Sequence, residues 1–115
     1  MSESALSDLK IIELAEMVAG PFCTKVMADL GAEVIKVEDP HDGDPARQRG
    51  PFPRDQPHPE RSTLFLHLNT NKRGVTLDVS KPGGARLFRD LVKDADILVE
   101  TRKPGTLAAL GVGYD

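Results

Sequence analysis

Two pairs of adjacent cations are the side chains of this sequence best suited to hold an anion. Lys72 and Arg73 follow two asparagines, and Arg102 and Lys103 follow a short apolar run. An arginine can meet phosphate oxygens through its guanidinium fork, and a lysine can meet them as a point charge. A solvated basic turn would contain the same residues, so each pair on its own fits either interpretation.

A cluster of four acidic residues follows a strand-like run. The four are Glu38, Asp39, Asp42 and Asp44. Carboxylates can hold Mg²⁺ or Ca²⁺, but the calcium-loop spacing with its terminal glutamate is missing. The three histidines are scattered, without a second ligand at helical spacing. We therefore expect the loop acids to be solvated and no metal to be bound.

Length, charge and composition exclude several classes of protein. The 115 residues fit one domain, and the single cysteine rules out an intramolecular disulfide and a paired-cysteine metal site. The net charge of −3 and the aromatic content of 4% argue against a nucleic-acid partner. No apolar run approaches the roughly 20 residues of a membrane span, and the N-terminus lacks the basic region of a secretory signal. We expect a cytoplasmic protein without a membrane partner.

Strand-like and helix-like runs alternate along the chain and predict its fold. Short apolar or alternating segments indicate strands near residues 10–14, 34–38, 75–79 and 96–100. A strand, a helix and a strand within about 30 residues form a βαβ unit, and two such units are visible. The expected fold is α/β, with a Rossmann-like open, mostly parallel sheet and flanking helices.

Apolar residues at a spacing of four predict the buried face of the first helix. In the helix expected from Pro21 to Leu30, Phe22, Val26 and Leu30 form one stripe. Cys23 lies beside this stripe without an evident base, which favours a buried structural thiol over a nucleophile.

A second helix is expected after residue 80. Ser80 can cap it, and Pro82 suits its first turn. The residues expected on its buried face are Leu87, Phe88, Leu91 and Val92.

Residues 39–61 interrupt the alternation of strands and helices. Six of the nine prolines lie there, and proline cannot continue a helix or a central strand. A loop of this length in a compact domain is usually functional or mobile. We expect a Pro-rich irregular loop within the domain rather than a linker, because the segments on both sides belong to one alternating pattern.

In open α/β sheets, ligands bind outside the carboxyl ends of the strands. The first such end, residues 15–20, opens a helix whose free N–H groups attract anions. It contains one glycine and no Gly-x-Gly-x-x-Gly pattern, so a tight strand-to-helix turn is the simpler interpretation. Residue types and spacing alone predict an α/β domain with loops suited to anions.

Six stretches, taken in order, form a more specific pattern. They are residues 18–24, 28–38, 43–47, 69–78, 95–100 and 103–114. Each stretch alone is weak, but the ordered set covers nearly the whole chain. It resembles the N-terminal part of the family III CoA-transferases, which include formyl-CoA transferase, carnitine CoA-transferase and the α-methylacyl-CoA racemases.

The resemblance implies that residues 1–115 are the N-terminal part of a large CoA-binding domain. Coenzyme A or an acyl-CoA would be a substrate at the strand ends, with no metal. The first turn would lie along the CoA, and the segments after residues 77 and 99 would flank the nucleotide. The expected binding residues, with the cations included, are Met17, Val18, Ala19, Lys72, Arg73, Leu77, Ser80, Lys81, Thr101 and Arg102.

Several positions depart from the usual CoA contacts of the family. Asp39 replaces a basic residue that can meet the nucleotide phosphates, and Ala109 replaces an arginine. Ser80 replaces a frequent lysine, although Lys81 is adjacent, and residues 101–102 replace Asn-Phe. Because an acid facing phosphates opposes binding, these departures imply a weaker affinity for CoA or a different pose.

In complete members of the family, the resemblance implies that an aspartate attacks the acyl-CoA thioester. A mixed anhydride and an aspartyl-CoA thioester follow before CoA passes to a carboxylic acid. That aspartate lies beyond residue 115, so no catalytic residue is assigned here and the isolated chain is expected to be inactive, as a truncated product or one piece of a split enzyme.

The same resemblance leaves two other functions open. One is a racemase-type member that uses acid–base chemistry beside the thioester, and the other is a non-catalytic binding or assembly module. Because members form two interlocked chains, we expect a homodimer or an association with the remainder of the fold. The acyl group and the acceptor acid are not specified by the sequence.

Overall fold

The sheet contains four parallel strands. A computed structural model describes residues 4–114. The strands are β1 (Lys10–Leu14), β2 (Glu33–Glu38), β3 (Arg73–Thr76) and β4 (Ile97–Glu100). Their order in the sheet is β3-β2-β1-β4, and every pair is parallel. This is the order of the first four strands of a Rossmann fold, so the predicted open α/β sheet is confirmed.

Strand β3 is shorter and earlier than expected. It starts at Arg73 and ends at Thr76, whereas the sequence predicted a strand near residues 75–79. The N–H of Leu77 still donates to the carbonyl of Glu38 at 3.0 Å. The chain then turns away, and Val79 is buried in the core instead of the sheet.

Four α-helices connect or follow the strands. They are α1 (Ala19–Asp29), α2 (Thr63–Leu68), α3 (Pro82–Lys93) and α4 (Thr106–Ala109). Helix α2 begins where Ser62 Oγ accepts the N–H of Phe65 at 3.2 Å. None of the helices within residues 4–114 is long and apolar enough to cross a membrane.

Helix α1 buries a different face from the one predicted. Phe22, Val26 and Leu30 are between 42% and 50% exposed, and Cys23 is exposed as well. The residues that face the sheet are Gly20, Pro21, Thr24 and Ala28. These side chains are small, so the helix lies close to the strands, while Phe22 and Val26 face outward and Met27 packs at the edge of the core.

Gly20 is required for this close approach. A Cβ added there would lie 2.5 Å from the Cβ of Ala15 and 2.8 Å from Cγ2 of Thr101. The first turn of α1 therefore lies directly against the ends of β1 and β4. At the other end of the helix, Gly31 has a φ of 106°, a conformation that favours glycine.

Helix α3 agrees in part with its predicted face. Phe88 is 1% exposed and Leu91 and Val92 are half-buried, but Leu87 is 51% exposed. Pro82 stands in the first turn as expected, whereas Ser80 does not cap the helix. Its hydroxyl donates to the carboxylate of Asp78 instead.

The core occupies both faces of the sheet. Because successive side chains of a strand point to opposite faces, Ile12 and Ile35 belong to one cluster, which includes Phe88 of α3. Ile11 and Val34 belong to a second cluster, beneath α1. Helices therefore cover both faces, as a doubly wound sheet requires.

The loop at residues 39–61 contains two short 3₁₀ helices, Pro45–Gln48 and Pro53–Asp55. Its first half is attached to the end of β2 through Glu38 and Arg47. Ser62, which directly follows the loop, holds its end against its first half, because the Ser62 hydroxyl donates to the carbonyl of Ala46 at 2.8 Å.

A pair of phenylalanines tests which helix faces are buried. Replacement of the buried Phe88 by alanine should lower the free energy of unfolding by about 3–5 kcal/mol. The same replacement at the half-exposed Phe22 should change it by less than about 1 kcal/mol. Urea unfolding measures both values, and equal losses would contradict the orientation described for α1.

Candidate functional site

The carboxyl ends of β1 and β4 meet around the turn that opens α1. The N–H of Glu16 donates to Oγ1 of Thr101 at 3.0 Å, which joins the two strand ends. Val18 and Ala19 are exposed, and no side chain within residues 4–114 caps the start of α1. The first N–H groups of a helix lack intrahelical partners, so this turn presents donors outside the strand ends. In a sheet of this order, β1 and β4 flank the point where ligands bind.

Met17 gives this turn its shape. Its φ is 66°, in the left-handed region that residues with a Cβ seldom adopt. Its N–H donates to Oδ1 of Asp44 at 3.0 Å. Asp44 belongs to the loop after β2, so a residue distant in sequence holds the turn.

A buried ionic network lies beside the turn. Glu13 and Lys36 stand directly opposite each other on β1 and β2, and their side chains are 2.8 Å apart. Lys36 also lies 2.8 Å from Oδ2 of Asp44 and donates to the carbonyl of Ala15 at 2.9 Å. Glu13, Lys36 and Asp44 are at most 2% exposed.

Lys72 completes this network. Its ammonium lies 2.7 Å from Oε1 of Glu13 and donates to Oδ1 of Asn69 at 2.8 Å and to the carbonyl of Pro21 at 3.0 Å. The hydroxyl of Thr24 donates to the same oxygen of Glu13. Burial lowers the pKa of Lys72 below its ordinary value, and the hydrogen bond and charge of Glu13 oppose that shift.

The network contains two carboxylates and two ammonium groups, so its charges balance. Buried charges are costly unless they are paired and hydrogen-bonded. Removal of one partner from a buried ion pair typically costs about 3–5 kcal/mol, because the other charge is left uncompensated. The network therefore requires β1, β2, the loop at Asp44 and the segment before β3 to be in place together.

A second ion pair shapes the loop after β2. Arg47 contacts both oxygens of Glu38, at 2.9 Å and 2.7 Å, and lies 3.7 Å from the ring centre of Phe65. Burial alone would raise the pKa of Glu38, but hydrogen bonds from Arg47 and from the N–H of Asp44 leave it below its ordinary value. The hydrogen bond with Glu38 raises the pKa of Arg47.

Five of the predicted binding residues lie together at the ends of β1 and β4. They are Met17, Val18, Ala19, Thr101 and Arg102. Arg102 approaches Glu16 at 4.0 Å, and its buried Nε has no hydrogen-bond partner among residues 4–114. This group therefore combines backbone donors with one cation that has a free donor.

Three others lie at the carboxyl end of β3, on the far side of β2. Leu77 is half-buried, and Ser80 and Lys81 are exposed in the connection to α3. The carboxylate of Asp78 organises this connection by accepting the N–H of Ser80 at 3.0 Å.

The structure separates the cations of the Lys72–Arg73 pair. Lys72 is buried, with its ammonium surrounded by protein acceptors. Arg73 is 78% exposed at the amino end of β3, 3.8 Å from Glu33 at the start of β2. Arg73 therefore lies away from the carboxyl ends of the strands, whereas Lys72 lies beneath the first turn of α1, with its ammonium already bound by Glu13 and by the carbonyl of Pro21.

Glu13, Lys36 and Asp44 were not predicted as a group. The expectation that the loop acids are solvated is wrong for Asp44, 1% exposed, and for the half-buried Glu38. Glu13 and Lys36 each interrupt an apolar run expected to be a buried strand. Opposite charges inside two neighbouring buried strands are a signal that the charges must pair.

The described residues also define what the site can do chemically. Within residues 4–114, no three His, Cys, Asp or Glu side chains are grouped to hold a metal. Arg102, Lys81 and the donors before α1 are suited to anionic groups.

Comparison with known proteins assigns the family. The sequence profile of CoA-transferase family III matches residues 6–115. The chain belongs to this family. Over 99% of the present chain, it is 45% identical to an acyl-CoA transferase of Fusarium pseudograminearum and 40% identical to the mouse succinyl-CoA:glutarate CoA-transferase.

Solved structures of the family have the same fold. A CAIB/BAIF family protein from Brucella suis aligns over 98% of the chain, with a TM-score of 0.86 and 37% identity. The chain covers 30% of that protein, and only 26% and 25% of the Fusarium and mouse relatives. It therefore spans about a quarter of the curated relatives it matches.

The pair of Glu38 with Arg47 predicts a pH dependence of stability. The folded pKa of Glu38 lies below its ordinary value of 4.5. The contribution of the ionised Glu38 to the stability of the fold is therefore complete above pH 4.5 and is lost as the pH falls through the folded pKa. Urea unfolding from pH 7 to pH 3 should show the curves of the wild type and Glu38→Gln converging as the pH falls.

The control is Glu60→Gln. Glu60 also approaches Arg47, at 3.3 Å, but its side chain is 72% exposed, so this variant should follow the wild type throughout. A constant gap between wild type and Glu38→Gln across the whole pH range would contradict the assignment.

Proposed function

We propose that this chain is the CoA-binding N-terminal region of a family III CoA-transferase. In the complete fold, CoA would pass from an acyl-CoA to a carboxylic acid. Relatives named as CoA-transferases support this chemistry, including the human succinyl-CoA:glutarate enzyme, 40% identical over 96% of the chain, and a succinyl-CoA–D-citramalate enzyme of Chloroflexus aurantiacus, 40% identical over 96%.

The observation that carries the proposal is the turn between β1 and α1. It lies at the β1/β4 junction, exposes Val18 and Ala19, and is not capped by any side chain in the part of the chain that the structure describes. A pyrophosphate placed there would meet backbone donors and the guanidinium of Arg102. We assign Met17, Val18, Ala19, Thr101 and Arg102 to the CoA contact on this basis.

The other five predicted contacts fall into two groups by their position in the structure. Leu77, Ser80 and Lys81 would flank the nucleotide at the end of β3. Lys72 and Arg73 would reach it only after moving from the positions described above. The proposal therefore depends on the other eight residues.

Residues 1–115 would be the N-terminal part of the large domain, with the loop at 39–61 inside it. The contacts of Arg47 with Glu38 and of Ser62 with Ala46 support this, because the first attaches the loop to the end of β2 and the second attaches it to the start of α2. A reducing, cytoplasmic setting remains part of the proposal.

No residue of this chain is proposed as the nucleophile. Asp44, whose carboxylate is fully buried, is paired with Lys36, and Glu38 is paired with Arg47. We therefore expect the 115-residue chain to bind CoA without transferring it.

Calorimetric titration with CoA tests the proposed binding. Asp39 follows β2 at the carboxyl edge, and Asp39→Arg would replace a repelling charge by one that can pair with a phosphate. A charge-assisted hydrogen bond contributes about 1.5–3 kcal/mol, so the dissociation constant should fall about tenfold or more. Added salt should weaken binding by both proteins.

The matched control is Asp8→Arg. Asp8 is exposed before β1, at the opposite edge of the sheet, so the same change of charge should leave the affinity within about twofold. A wild-type chain with no measurable affinity for CoA, or equal tightening by both variants, would refute the placement of the ligand.

We also propose that the chain associates with a second chain or with the remainder of the fold. Val18, Phe22, Val26 and Leu30 are each more than 40% exposed along α1. Exposed apolar patches of this kind mark interaction surfaces. Two relatives are named as subunits, one from Chloroflexus aurantiacus and one from Thauera aromatica.

Sedimentation velocity at several concentrations tests the association. We expect the wild type to form larger species as the concentration rises, and Phe22→Ser with Val26→Ser to remain monomeric. Leu87→Ser, at a residue 51% exposed on α3, is the control and should behave as the wild type. A wild type that is monomeric at every concentration would contradict this part of the proposal.

A further inference from the structure

We propose that Asp44 is a positioning residue that holds the turn of Met17, Val18 and Ala19 in the conformation that CoA meets. This inference rests on the proposed function, because the ligand of the turn is the CoA proposed above. Asp44 itself would not contact the ligand. It would act through Met17, from a loop 27 residues further along the chain.

The carboxylate of Asp44 is fixed from three directions. Its Oδ1 accepts the N–H of Met17 at 3.0 Å and the N–H of Ala46 at 2.9 Å. Its Oδ2 lies 2.8 Å from the ammonium of Lys36, and the carboxylate is fully buried. In addition, the N–H of Asp44 donates to Glu38 at 2.7 Å. An acceptor held this firmly can define the position of the N–H that it binds.

Met17 is the residue in the turn that needs such support. Its φ of 66° is sparsely populated for a residue with a Cβ. Such a conformation persists only when the surrounding structure fixes it. The hydrogen bond from Met17 to Asp44 supplies that constraint next to the exposed residues Val18 and Ala19.

Loss of this constraint would reduce the fraction of molecules whose turn is in the conformation that binds CoA. When only a fraction of molecules holds the binding conformation, the apparent dissociation constant rises in inverse proportion to that fraction. Loss of the acceptor at Asp44 would free the turn to sample other conformations. The affinity for CoA would then fall even in a protein that remains folded.

Two substitutions separate this role from the ion pair with Lys36. Asp44→Asn keeps an Oδ1 acceptor for Met17 but removes the negative charge, whereas Asp44→Ala removes both. The control is Asp42→Ala, an exposed acid of the same loop. The readouts are urea unfolding, the exchange rate of the Met17 amide by NMR, and calorimetric titration with CoA at a temperature where circular dichroism shows each variant folded.

We expect both substitutions at Asp44 to lower stability, because Lys36 loses a counter-charge. Only Asp44→Ala should raise the dissociation constant for CoA by tenfold or more and accelerate exchange of the Met17 amide by a similar factor. Asp44→Asn should stay within about threefold of the wild type in both, and Asp42→Ala should match the wild type.

An unchanged affinity in Asp44→Ala, or equal losses of affinity in both variants, would overturn the positioning role. A wild-type chain that does not bind CoA would refute the proposed function instead. In that case the exchange rate of the Met17 amide still tests whether Asp44 holds the turn. Faster exchange in Asp44→Ala alone would support that role of the hydrogen bond from Met17 to Asp44, and unchanged exchange would overturn it.

Discussion

Glu13 and Lys36 face each other across the two central strands, on the side of the sheet that α1 covers, and almost no solvent reaches either. Each sits in an otherwise apolar run. With Lys72 and Asp44 they form a balanced set of four buried charges, in which the loss of one leaves another uncompensated. Segments that are distant in sequence must therefore be in place together for any of the four to be tolerated.

The same network explains the orientation of α1. Thr24 directs its hydroxyl to Glu13, and Lys72 reaches the carbonyl of Pro21 in the first turn of the helix. The side of α1 that carries Thr24 and the small residues is thereby turned toward the sheet, and Phe22 and Val26 are left outside. The ionic network beneath the helix therefore accounts for the apolar surface on the outer side of the helix. Through Asp44, that network also extends to the turn where we propose that CoA binds.

The order of the elements and the parallel sheet could be predicted from the sequence, because strand and helix signals are local. The segment 33–38, for example, alternates apolar and polar residues and forms β2. The face that α1 buries could not be predicted, since partners distant in sequence select it. Lys72 and Arg73 show the same limit: they are neighbours in sequence, yet one is buried against Glu13 and the other is exposed. The predicted turn at Met17 was correctly placed, but its tether to Asp44 depends on a tertiary contact.

A double-mutant cycle on Glu13→Gln and Lys36→Met tests most directly whether the buried network holds the fold together. Contacting residues in one ionic network typically couple by about 0.5–3 kcal/mol, whereas independent sites are additive within about 0.5 kcal/mol. Urea unfolding of the wild type, the two single variants and the double variant measures the coupling. We expect each single variant to be strongly destabilised and the coupling energy to be about 2 kcal/mol or more. Additive effects within about 0.5 kcal/mol would contradict the central place given to this pair.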